Sequence, residues 1–79
     1  MNSFSEVIDA FNGQFAQAIG IEESHARTMK ARDSIPSYRW VDTVNAAKTL
    51  RVKGVTLDLL ARLEAEKAKA RENGGEVSA

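Results

Sequence analysis

The stretch GQFAQAIGIEESHARTM, residues Gly13 to Met29, decides the fold. It reads as two short helices with Gly20 between them. Two helices that cross closely need a small residue on the first where it faces the second, and Ala16 stands there. Four residues later the turn needs a positive φ, which glycine adopts at no steric cost, and Gly20 supplies it. Ile21 then tucks the turn onto the core. Ala26 and Met29 face inward from the second helix, as Phe15 and Ile19 do from the first. Every structural position of a helix–turn–helix corner is filled.

Outward from this corner, Ser3 and Glu6 have the spacing of a capping box, and Phe4, Val7, Ile8 and Phe11 fall on one helical face. That helix is expected to end at Asn12-Gly13, and the next to run over about Gln14–Ile19. The third starts around Glu22–Ser24 and reaches about Ala31. Pro36 disfavours helix at Ile35, and Ser37 caps a fourth helix from Tyr38 to about Leu50. Its expected inward residues are Trp40 or Tyr38 with Val41, Val44, Ala47 and Leu50. Thr56 caps a fifth, with Leu57, Leu59, Leu60 and Leu63 as its apolar content. The expectation is an all-α, compact five-helix domain over residues 1–63. Residues 64–72, helix-favouring but with nothing larger than alanine to bury, form a polar, solvated extension of the last helix. Residues 73–79 form a disordered tail.

At 79 residues without cysteine, the chain has room for one small core and no disulfide or thiolate metal site. Oligomerisation is the expected source of extra stability, and no cofactor or metal is expected. No apolar run approaches a membrane span and the N-terminus has no signal-peptide pattern, so a cytoplasmic location is expected. The formal net charge is zero, yet its distribution is uneven: −4 over residues 1–24, +5 over 25–53 and −1 over 54–79. A polyanion meets the local field, so the basic middle remains compatible with nucleic acid. With one histidine and no cysteine, no nucleophile–base pair or paired-carboxylate site stands out, and an enzyme is not expected.

The matching elements extend past the corner: Gly13-Gln14, Gly20-Ile21, Ile35-Pro36, Trp40 and Gly54-Val55-Thr56-Leu57, in that order. Over roughly residues 5–63 the chain resembles the lambda-repressor-like, Cro-type DNA-binding domains of phage and bacterial regulators. It is most similar to the compact subgroup that includes YdaS-type repressors and carph-isopro domains. No single element is specific; their order and spacing together carry the resemblance. The chain departs from the family pattern with Met29 where tryptophan is usual, and with Glu22-Glu23 where the recognition helix normally opens with Ser, Thr or Pro.

The resemblance implies that the third helix enters the major groove with Glu23, Ser24, Arg27, Thr28 and Ala31 outward and His25 to one side. Arg27 is the leading base reader, since its planar fork matches O6 and N7 of guanine. Glu23 either accepts from a cytosine amino group or holds Arg27 at i+4. Ser24 and Thr28 are donors to bases or phosphates, or ordinary exposed helix residues. Gln14 is placed for a phosphate contact. Lys30, Arg32 and Arg39 are expected phosphate neutralisers, with ordinary surface charge as the alternative. Tyr38 and Trp40 could stack on single-stranded bases, but core packing is the expectation for them. Leu57, Leu60 and Leu63 complete the core or form part of a dimer seam.

Two functions are thus in play. One is a promoter-occupying regulator that binds double-stranded DNA as a homodimer, with contact to RNA polymerase left open. The other is an adaptor that keeps the fold and binds a protein partner instead.

Overall fold

The computed structural model describes residues 1–78, with side chains described for residues 1–71. The backbone of the expected tail at 73–79 is described to Ser78, as part of α5, and its side chains are not described. The chain is all-α. Its helices are α1 (Phe4–Asp9), α2 (Phe15–Ile19), α3 (Glu23–Ala31), α4 (Trp40–Leu50) and α5 (Leu57–Ser78), and a 3-10 turn, Ser37–Arg39, leads into α4.

Local chemistry explains most of the boundaries. The Ser3 hydroxyl accepts the Glu6 N–H at 3.1 Å and starts α1. The other half of the expected box is displaced by one residue, because the Glu6 carboxylate takes the Asn2 N–H. The helix stops at Asp9, earlier than the sequence suggested, and Ala10–Gly13 form a turn with positive φ at Asn12 and Gly13. That turn still buries Phe11, whose ring meets Phe15 edge-on with centroids 5.2 Å apart. Between α2 and α3, Gly20 has φ 75° and the Ile21 N–H reaches back to the Ala16 carbonyl at 2.9 Å. This six-to-one bond satisfies a carbonyl that the end of α2 would leave open. Ala16, Ala26 and Met29 are buried as the corner requires.

In α4 the inward face differs from expectation. Thr43, Ala46 and Ala47 are buried, Val44 and Trp40 are half-buried, and Val41, Leu50 and Tyr38 are exposed. The expected Val41, Val44, Ala47 and Leu50 all lie within α4, and the helix turns the neighbouring stripe of Thr43, Ala46 and Ala47 to the core instead. Thr43 is tolerated inside because its hydroxyl donates to the Arg39 carbonyl at 2.8 Å. Trp40 packs partly on the core and donates its ring N–H to the Ile35 carbonyl at 2.8 Å, pinning the proline-containing loop.

The core itself joins Phe4, Val7, Phe11 and Phe15 to Ile35, Val55, Leu60 and Leu63. Thr56 caps α5, accepting the Leu59 N–H at 3.1 Å. Leu60 is fully buried whereas Leu57 stays 47% exposed. Burial of a leucine side chain contributes about 1.5–3 kcal/mol, so Leu60 rather than Leu57 anchors this helix. The helix runs on without a break past Leu63. Lys67 folds back from it and donates to the Asp33 carbonyl at 2.7 Å, its ammonium 5.8 Å from the centre of the Phe4 ring. No helix among the described residues is long and apolar enough to cross a membrane.

Candidate nucleic-acid interface

Helix α3 has two inward residues, Ala26 and Met29, and everything else on it from Glu23 to Arg32 is exposed. At 100° per residue, Ser24, Arg27, Thr28 and Ala31 lie on the side opposite Ala26 and Met29. They form an outward ridge. Glu23 and Lys30 lie on one flank, and His25 and Arg32 on the other.

Each flank meets a neighbouring segment. Glu23, Arg27 and Lys30 line a hollow of about 160 Å³ with Asp9 and Gly13, where the α1–α2 turn approaches α3. His25, Thr28 and Arg32 line a hollow of about 130 Å³ with Ser34 and Pro36. The structure therefore gathers seven of the nine sequence-derived site residues around α3. Gln14 lies apart, in a groove with Gln17, Ala18 and Leu50. Because α2 has only five residues, few aligned peptide dipoles reinforce an anion there. Arg39 lies in the 3-10 turn, half-buried, with its guanidinium 5.3 Å from the centre of the Tyr38 ring and its Nε buried without a hydrogen-bond partner.

The charged residues are not equally free. Lys30 pairs with Asp9 at 2.6 Å, so its charge is already partly compensated. Among the described residues the other ion pair is Arg71–Glu64, and Arg27 belongs to neither. Glu23 and Arg27 share a hollow without pairing, so Glu23 does not clamp Arg27 here. The Thr28 hydroxyl donates to the Ser24 carbonyl at 3.0 Å, which spends its proton inside the helix and leaves its oxygen as an acceptor. No side chain caps the first turn of α3, so its leading N–H groups have no side-chain partner. Arg27 thus has the planar donor fork, the outward placement and the freedom that direct base reading requires.

Sequence reasoning missed the residues that hold α3 in place. Asp33, at φ 53°, ends the helix in the left-handed region, and the Ser34 N–H returns to the Met29 carbonyl at 3.0 Å. The Asp33 carboxylate accepts the Ser5 N–H at 2.8 Å, tying α3 to the start of α1. Lys67 caps the same end from α5. An aspartate following a lysine–arginine-rich helix was the only local signal, because asparagine and aspartate tolerate this conformation better than most residues. Its partners could not be read from spacing.

The described residues hold no group of three or more histidines and carboxylates placed to bind a metal ion. In comparisons with known proteins, no family model, curated protein or solved structure matches this chain.

Proposed function

We propose that this chain is a sequence-specific regulator of transcription that binds double-stranded DNA and acts by occupying a promoter, as repressors of the lambda-repressor-like, Cro-type kind do. The observation that carries the proposal is the outward ridge of α3, where Arg27 stands exposed and without an ion pair on a helix seated by Ala16 and Gly20. Arg27 reads a guanine, Ser24 and Thr28 flank it, and Arg32 and Gln14 contact phosphate. A homodimer on two half-sites about one helical turn apart gives the length of sequence that a single short helix cannot read.

A second reading is favoured by specific observations. Glu22 and Glu23 are both exposed at the start of α3, and Asp9 compensates Lys30. Each lowers the positive field that phosphate would meet, as expected of an adaptor that binds protein. The two readings part on one titration of a labelled duplex from the promoter of the protein's own gene against a scrambled duplex, from about 50 to 200 mM salt. A DNA reader prefers its own duplex and weakens steeply with salt; an adaptor binds neither.

A further inference from the structure

One flank of the molecule, formed by α4 and α5, carries apolar side chains that none of the described residues covers. Val41, Val44 and Lys48 follow at spacings of three and four along α4 and so share a face. Val41 is 57% exposed and Val44 half-buried. Beside them α5 opens with Leu57, 47% exposed, and Asp58. Val44 and Lys48 of α4 form one wall of an open hollow of about 300 Å³, with Val55, Thr56, Leu57 and Asp58 forming the other. The hollow therefore has an apolar floor, a cation on one wall and an anion on the other. Among the described residues neither charge is paired: the ion pairs there are Lys30–Asp9 and Arg71–Glu64.

We infer that this face is where a second copy of the chain docks, across a two-fold axis. A two-fold contact joins the same patch to itself, so the patch must be complementary to its own image. A patch of one sign would repel its image. This one presents Lys48 from α4 and Asp58 from α5, and the rotation that lays α4 against the partner's α5 sets each lysine beside an aspartate, twice per dimer. Leu57 and Val41 are then covered between them. The chain's zero net charge adds no long-range repulsion to the encounter. Only Val41 and Leu57 are large apolar side chains exposed on this face, so a weak association that depends on concentration is expected. The inference names the surface for the dimer proposed above but does not depend on DNA binding, because it is read without DNA.

The test is sedimentation equilibrium of the full chain without DNA, from micromolar to millimolar concentration, with helix content followed by circular dichroism. A monomer–dimer equilibrium is expected, and Leu57→Lys should weaken it at least roughly tenfold while helix content is kept. K48E and D58K should each weaken it by roughly tenfold, and the two together should restore it to within about threefold, because the pairs re-form with reversed sign. The double variant also guards against misfolding, since a variant that fails to fold cannot regain association. A monomer throughout the range, a dimer indifferent to Leu57→Lys, or a double variant no better than the single ones would overturn the assignment. A monomer that still prefers its own duplex would overturn this face alone and leave the DNA proposal standing.

Discussion

The two ends of α3 are used in opposite ways. Its C-terminal end is tied down from three directions: Lys30 to Asp9 of α1, the Asp33 carboxylate to the Ser5 N–H, and the Asp33 carbonyl to Lys67 of α5. Its N-terminal half, with Ser24 and Arg27 outward, makes no ion pair and has no side-chain cap. A reading helix has to be rigid where it meets its own domain and free where it meets a ligand. Arg27 and Lys30 divide along that line, and positive charge alone does not tell which of them is free.

The largest expected effect falls on the free half. Arg27→Ala should cost about 1–3 kcal/mol in binding to the preferred duplex and almost nothing to a scrambled one. Folding stability should move by less than about 0.5 kcal/mol, since the side chain is exposed. Urea unfolding beside the duplex titration checks both halves of that statement. If Arg27→Ala weakened both duplexes equally, Arg27 would be a phosphate contact, and the contrast between the two ends would lose its functional meaning.

Next comes the tied end. Asp33→Ala leaves the part-buried Ser5 N–H without its acceptor and puts alanine at φ 53°, and should cost about 1–2 kcal/mol of stability. Its effect on duplex preference should be small where the protein is folded. Lys67→Met keeps much of the contact with Phe4 but loses the hydrogen bond to the Asp33 carbonyl. About 1 kcal/mol is expected, seen as a lower unfolding midpoint and faster hydrogen exchange at the last turn of α3.

The smallest effect sharpens the comparison most. Asp9→Asn releases Lys30 from an ion pair whose members are both about half exposed, so stability should change by less than about 1 kcal/mol. The freed lysine should steepen the salt dependence of duplex binding by up to about one released ion. An unchanged slope would mean that Lys30 lies too far from the phosphates to matter, and that its pairing with Asp9 is structural only.

The corner was legible in the sequence because its requirements are local. Ala16, Gly20 and Ile21 are fixed by close approach, a positive φ and one returning N–H, all within six residues. The caps at Ser3 and Thr56 were legible for the same reason. The inward face of α4 was not, because the larger Val41 and Leu50 look like the buried residues at helical spacing, and because Thr43 looks polar until its hydroxyl is seen bonding the Arg39 carbonyl. The ties on α3 were out of reach altogether. Ser5 and Lys67 lie 28 and 34 residues from Asp33, and only the fold brings them together. In the candidate interface, the residue types and the outward ridge could be read from helical spacing. Which basic residue is already compensated could not, since Asp9 belongs to another helix.

The base-reading role of Arg27 stands or falls on a competition titration of the wild-type protein and Arg27→Ala on the same promoter and scrambled duplexes at one fixed salt concentration. The wild type is expected to prefer the promoter duplex, and Arg27→Ala to collapse this preference toward one while binding scrambled DNA nearly as well. A wild-type protein that binds neither duplex, or a variant that keeps the full preference, would contradict that role.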